Sequence, residues 1–93
     1  MSEVLSFKIV GGEEIVASVI KTLHANGVDN TPTGWVVRRP HILRFQPVAP
    51  GQVGLAFVPW TLSNPEIDRI EIPASAVLLT FAPSDNVEKQ YLE

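Results

Sequence analysis

The chain has 93 residues, which is enough for one small domain with an adequate but modest core. Hydrophobic residues make up 45% of it and charged residues 18%, a globular rather than a disordered composition. The chain has no cysteine, which excludes disulfides and thiolate chemistry, and its net charge of −3 argues against a protein that depends on nucleic-acid phosphates for affinity.

The first residues, MSEVLSF, lack the basic and apolar regions of a signal peptide, and no apolar run is long enough to span a bilayer. We therefore predict a cytoplasmic protein without membrane contact, formed by one domain over residues 1–93.

The first predicted strand covers residues 5–9, where apolar and polar side chains alternate. Gly11 and Gly12 follow and suit a tight hairpin turn, because glycine adopts positive φ without strain. Residues 14–23 are rich in β-branched side chains and apolar on both faces, which predicts a second strand covered on both sides. An amphipathic helix over residues 13–24 is the alternative.

The middle of the chain predicts one long loop and one bent strand. Residues 26–34, NGVDNTPTG, are loop-forming at nearly every position. Two extended pieces, WVVRR at 35–39 and HILRFQPV at 41–48, are hinged at Pro40, as in a strand that curves around a barrel. Arg39 precedes the proline and is therefore expected in extended backbone.

The last part of the chain predicts further strands and a helix. The extended segments are residues 52–60, 70–73 and 77–82. Between the first two lies TLSNPEID, an excursion with one helical turn that begins at Pro65 after an Asn64 cap. The tail predicts a short terminal helix capped by Ser84 or Asp85.

These elements predict an all-β fold, a small five-stranded, strongly bent antiparallel barrel of SH3 type with a short C-terminal helix. Two patterns resemble the Sm-like family: IVASV at 15–19 has the form hydrophobic-x-small-x-hydrophobic, and IPASAV at 72–77 has the spacing of the second Sm motif. The segments GEEIVASV, RRPHIL, VGLAFVPW and RIEIPASAV extend the similarity, in particular to small Sm-like proteins of cyanophages and marine viral sequence.

The resemblance implies a homo-oligomeric ring of about five to seven subunits, in which the fourth strand of one subunit pairs with the fifth strand of the next. It also implies binding of single-stranded RNA, as in many Sm-like proteins, but not of DNA. The RNA-contacting Asp and Asn of the family do not align residue for residue with the loop of this chain. Pro73 and Ala74 replace the Arg-Gly of the second motif. The resemblance therefore supports the prediction of a ring more strongly than the prediction of an RNA site.

The predicted subunit interface follows from the edges of an open sheet. Residues 78–82, LLTFA, contain neither the charge nor the proline that proteins use to protect an edge strand. Pairing with a neighbouring subunit would cover this edge. The predicted interface residues are Gly54, Leu55, Ala56, Phe57, Val58, Leu78, Leu79, Thr80 and Phe81.

Candidate contacts to nucleic acid or to a partner come from the basic cluster and the long loop: His24, Asn26, Asp29, Asn30, Trp35, Arg38, Arg39 and Arg44. Arginines beside a tryptophan can neutralise and stack a nucleic-acid strand. The alternative is that the arginines form salt bridges with Glu13, Glu14 or Glu71 of the same or an adjacent subunit, and that the loop Asn and Asp residues simply make turns.

No enzyme is predicted, because the sequence contains no nucleophile elbow, phosphate loop, metal-ligand spacing or cofactor motif. The two function hypotheses are a ring that contacts RNA or an RNA-processing partner, and a structural ring that docks a protein without nucleic acid.

Overall fold

The computed structural model describes residues 3–25 and 31–93. Within these ranges the chain forms six β-strands and one α-helix, in the order β1 (Glu3–Ile9), β2 (Glu14–His24), β3 (Pro32–Ala49), β4 (Gln52–Pro59), β5 (Ile70–Pro73), β6 (Val77–Phe81) and α1 (Asp85–Leu92). The predicted all-β architecture with a short C-terminal helix is confirmed. The helical alternative for residues 13–24 is wrong, because β2 fills most of this segment.

All strand pairs are antiparallel and belong to one sheet with the order β4-β3-β2-β1-β6, in which β5 also pairs with β3. Both β4 and β5 lie on the edge of β3 that β2 leaves free, β4 along residues 41–49 and β5 along residues 34–37. Within the described residues no pairing joins β4 to β6, so the sheet is open.

The predicted strand count of five needs correction to six for the described part of the chain. The excursion between β4 and β5 interrupts what would otherwise be one continuous strand along β3. A single 3₁₀ turn, Ala74–Ala76, then joins β5 to β6 at the predicted PASA turn.

A bulge between β2 and β3 bends the sheet near Pro40. Val16 faces His41 and Ser18 faces Arg38, so only Ala17 lies opposite the two residues Arg39 and Pro40. Arg39 has φ of +51°, in the left-handed region, and the expectation of an ordinary extended Arg39 was wrong. The extra residue of the bulge overrides the preference that the following proline imposes.

The turn between β1 and β2 depends on glycine. Gly11 and Gly12 have φ of +109° and +101°, which residues with a side chain rarely adopt. The Gly12 amide donates to the Ile9 carbonyl oxygen at 2.9 Å, and the Ile9 amide donates to the Glu13 carbonyl oxygen at 2.8 Å. The predicted hairpin is therefore confirmed.

The main core lies on the inner face of the sheet. Phe7, Ile15, Ala17 and Val37 are fully buried there, and β5 adds Ile72. Their alternation along β1 and β2 follows from the two-residue period of a strand, which places every second side chain on the same face.

Helix α1 covers part of the outer face of the sheet. Its only buried residue in the described chain is Tyr91, which packs with Val4 and Val16. Ser84 caps the helix by accepting a hydrogen bond from the Val87 amide at 3.3 Å, as one of the two predicted caps. No helix in the described chain has the length and hydropathy required to cross a membrane.

The excursion between β4 and β5 contains no helical turn, so the prediction at Pro65 is wrong. Two successive turns occur instead: the Asn64 amide donates to the Thr61 carbonyl oxygen, and the Ile67 amide donates to the Asn64 carbonyl oxygen. The Thr61 hydroxyl also donates to the Asn64 carbonyl oxygen at 3.0 Å, which joins the two turns to each other.

Candidate functional site

The two outer strands of the sheet, β4 and β6, expose apolar edges. Each pairs with one strand of the described chain, β4 with β3 and β6 with β1, so one row of backbone N–H and C=O groups on each lacks a strand partner. Unpaired edges of this kind are templates for pairing with another chain.

The edge strand β6 exposes large apolar side chains. Leu78 and Leu79 are more than half exposed, and Phe81 is also exposed. The strand VLLTF contains no charge or proline that would protect it from a second strand. All the β6 residues predicted at the interface therefore lie on a sheet edge.

The other predicted interface segment, Gly54–Val58, lies in β4 at the opposite edge. Its residues are half-buried, and the whole strand QVGLAFVP is uncharged, with its single proline at the last position. Both halves of the predicted interface are thus accessible edge strands, while their contact with a second subunit stays a prediction.

Arg38, a predicted nucleic-acid contact, is paired within the chain. Its guanidinium lies 2.9 Å from the Asp68 carboxylate and donates a second hydrogen bond from Nε at 3.0 Å. Within the chain, the acid that pairs with Arg38 is therefore Asp68 and not Glu13, Glu14 or Glu71. Asp68 lies in the excursion, which the sequence pattern gave no reason to place beside β3.

Arg39 fastens the C-terminal helix to the bulge. Its guanidinium donates to the Tyr91 carbonyl oxygen at 3.1 Å and lies 4.9 Å from the centre of the Tyr91 ring. The Tyr91 hydroxyl donates towards the carbonyl oxygens of Arg38 and Arg39 at 3.1 and 2.9 Å and lies 3.2 Å from the Ser18 hydroxyl. Arg39 therefore has a structural role.

His41 completes this cluster. Its Nδ1 donates to the Arg39 carbonyl oxygen at 2.7 Å, and its ring meets Tyr91 edge to face at 5.9 Å between centroids. A cleft of about 280 Å³ lies beside it, and its lining includes Arg39 and His41 as well as Glu66 and Asp68. The opposed charges give the cleft no clear preference for an anion.

The predicted role of Trp35 needs correction. Trp35 is buried and packs against Phe7 edge to face at 5.4 Å between ring centroids. A nucleic-acid base needs an accessible ring face to stack on, so Trp35 is a core residue.

The remaining predicted contact residues do not form one cluster with the arginines. His24 is exposed at the end of β2, and Arg44 is exposed on the distal part of β3, near Glu14. Asn26, Asp29 and Asn30 lie outside the described residues. Across residues 3–25 and 31–93, no group of three side chains has the composition of a metal site.

Sequence reasoning missed Tyr91 and the apolar face of the β3–β4 hairpin. Tyr91 was visible only as a helix residue, because its hydroxyl donates to backbone carbonyl oxygens of distant residues, which the sequence does not reveal. The hairpin had a readable signal, since apolar residues occupy every second position at Leu43, Phe45 and Pro47.

Comparison with protein-family models gives no match, and comparison with the curated proteins gives none either. The functional interpretation therefore depends on the geometry of the chain itself and on the resemblance of its short motifs.

Proposed function

We propose that this protein is a self-assembling binding module of Sm-like type, a homo-oligomeric ring in which β6 of one subunit pairs with β4 of the next. The observation that carries the proposal is the presence of two uncharged, unprotected edge strands at opposite ends of one sheet. The ring would cover both, which removes two sites of aggregation.

The two edges differ, and this difference favours a ring over a simple dimer. A contact between β4 and β6 is heterologous, because each subunit uses one surface to bind its neighbour and another to be bound. Such contacts repeat until the rotation closes, and in the closed assembly neither β4 nor β6 keeps a free edge.

The topology supports the Sm-like assignment in three respects. Because β4 and β5 lie on the same edge of β3, they occupy one strand position, and the sheet has five positions in all. The chain bends at the bulge beside Pro40, and a short 3₁₀ turn joins the last two strands. These features agree with the resemblance of the short motifs.

The function that this ring serves is docking of a protein partner. Two of the three clustered arginines are engaged inside the subunit, Arg38 with Asp68 and Arg39 with Tyr91. Trp35 is buried, and the net charge is −3. These observations favour the protein-docking ring over the RNA-binding ring, because phosphate contacts need free cations.

The native mass of the purified protein tests the ring. Native mass spectrometry at micromolar concentration should give a closed oligomer, and Leu79→Glu should shift it to the monomer, because a charge on the exposed β6 edge opposes strand addition. Leu62→Glu is the control, since Leu62 is exposed in the excursion, away from both edge strands. A monomeric wild type, or a soluble Leu79→Glu variant that stays oligomeric, would contradict the proposal.

Filter binding with single-stranded polynucleotides at low salt separates the two kinds of partner. We expect no retention of poly(U) or poly(A) by the wild-type ring, because Trp35 is buried, Arg39 is held against Tyr91 and the net charge is −3. Retention that weakens steeply as salt is raised would return the ring to the RNA-binding hypothesis.

A further inference from the structure

Edge pairing between subunits leaves a large apolar surface uncovered on the outer face of the β3–β4 hairpin. We use this name for the six side chains Leu43, Phe45, Pro47, Val53, Leu55 and Phe57. None of them is charged, and Phe45 and Val53 are 75% and 66% exposed.

The register places these six side chains on one face. Leu43 pairs with Phe57, Phe45 with Leu55 and Pro47 with Val53, and residues that face each other across antiparallel strands share a face. No register shift interrupts β3 and β4 between these pairs.

This face lies on the same side of the sheet as helix α1. Phe57 contacts the Tyr91 ring at 6.2 Å between centroids, and His41, two residues before Leu43, contacts the same ring. Helix α1 therefore covers the base of the hairpin and leaves its distal part, around Phe45 and Val53, exposed.

A neighbour bound at the β4 edge does not cover this face. Strand addition extends a sheet in its own plane, at a spacing of about 4.8 Å, whereas a face is covered by a second layer about 10 Å away. The occupant of the face must therefore approach along the perpendicular direction.

The size of the face argues for several such contacts acting together. An aromatic side chain buries about 150–250 Å² of accessible surface when it is fully covered. On this scale, the surface that the six side chains still expose is roughly 400 Å² per subunit. A stable interface buries about 800 Å² on each partner, so one pair of faces is too small to hold two isolated subunits together. A ring presents the face once per subunit, and the contacts then reinforce one another.

From these observations we infer that two rings stack through the outer faces of their hairpins, so that each face is covered by a second copy of the same face. This inference rests on the proposed ring. An uncharged apolar patch is self-complementary, as a contact across a two-fold axis requires. The neighbouring Lys8 and Glu14 form a polar rim of both charges, which such a contact can match in the opposing copy.

The mass of a double variant tests the stacking. Phe45→Gln with Val53→Thr makes the exposed part of the face polar while keeping residues that strands accept. The control is Leu62→Gln with Val10→Thr, which introduces the same two polar residues at exposed apolar positions outside the hairpin, where the exposed fractions are 69% and 58%. Native mass spectrometry should give twice the mass of one ring for the wild type and for the control, and half that mass for the hairpin variant.

The outcomes distinguish the stacking from the ring. A hairpin variant that keeps the wild-type mass, or a wild type that is a single ring, overturns the stacking and leaves the ring intact. A hairpin variant that falls to the monomer also overturns it, because the face then belongs to the junction between neighbours within one ring. A monomeric wild type overturns the ring on which the inference depends.

Discussion

The two halves of β3 are similar in composition but differ in what covers them. In the first half, Trp35 and Val37 lie between β2 on one edge and β5 on the other and are buried. In the second half, Phe45 lies in a two-stranded hairpin and is largely exposed. The same strand therefore contributes to the core of the chain at one end and presents an apolar surface at the other.

This difference separates side chains that stabilise the subunit from those available to stabilise an assembly. Full burial of a Val, Leu, Ile or Phe side chain contributes about 1.5–3 kcal/mol, and Val37 already has this contribution in the single chain. Phe45 gains it only when another molecule covers it. Exposed apolar strands in a chain with a buried core are therefore the surfaces on which the proposed association depends.

The largest expected effect is that of a charge in the subunit core. Ile15→Asp removes a fully buried side chain and places an unpaired carboxylate among Phe7 and Val37, which should cost more than about 4 kcal/mol and abolish the folded state. Thermal unfolding followed by circular dichroism should show no cooperative transition.

The matched control for this variant is Ile20→Asp, in the same strand at a position that is more than one third exposed. It should keep a cooperative transition, with a loss of about 1 kcal/mol. If Ile15→Asp and Ile20→Asp lost equal amounts of stability, the contrast between buried and exposed positions would be wrong. The exposed fraction of a side chain would then not predict the cost of a charge.

The second-largest expected effect concerns the contact between helix α1 and the base of the hairpin. Tyr91→Ala should detach α1, because Tyr91 is its buried anchor and a helix of eight residues is not stable alone. Hydrogen exchange should show α1 amides losing protection while β1 and β2 keep theirs, at a cost of about 3 kcal/mol by chemical denaturation. Leu92→Ala, at an exposed position of the same helix, is the control.

If the α1 amides stay protected in Tyr91→Ala, the helix is held by other contacts and Tyr91 is not its anchor. A variant that unfolds completely would show instead that α1 belongs to the core of the subunit.

The strands could be predicted from the sequence, because the side chains of a strand alternate between the two faces of its sheet with a period of two residues. Leu5, Phe7 and Ile9 alternate with polar residues, and all three face the inner core. The glycine pair identified the first hairpin for the same local reason, since few residues accept positive φ. Local patterns of this kind need no information from distant parts of the chain.

Features that depend on distant contacts could not be predicted in the same way. Arg38 pairs with Asp68, 30 residues away, and Tyr91 bonds to backbone carbonyl groups more than 50 residues away. Trp35 was interpreted as a surface residue beside two arginines, although its position in β3 directs it inward against Phe7. A backbone carbonyl partner leaves no mark in the sequence, and sequence proximity does not determine the face of a bulged strand.

A smaller effect of opposite sign is expected at Ser6. Its hydroxyl is buried and has no hydrogen-bond partner among the described residues. Ser6→Ala removes this unsatisfied group and should stabilise the subunit by about 1 kcal/mol in urea unfolding. Ser18→Ala is the comparison, since it removes a hydroxyl that contacts Tyr91 and should destabilise the subunit. A loss of stability in Ser6→Ala would contradict this expectation, because the hydroxyl would then contribute to the folded state.

The smallest effect is expected for the ion pair that links the excursion to β3. Arg38 and Asp68 are each about half exposed, so solvent and salt screen their attraction, and Asp68→Asn should cost no more than about 0.5 kcal/mol. The loss should shrink further when urea unfolding is repeated at high salt. Glu66→Asn, also in the exposed part of the excursion, controls for the change of charge. A salt-independent loss above about 1.5 kcal/mol would mean that this ion pair is the main contact that holds the excursion on β3. Surface charge, and not burial alone, would then distinguish the two halves of β3.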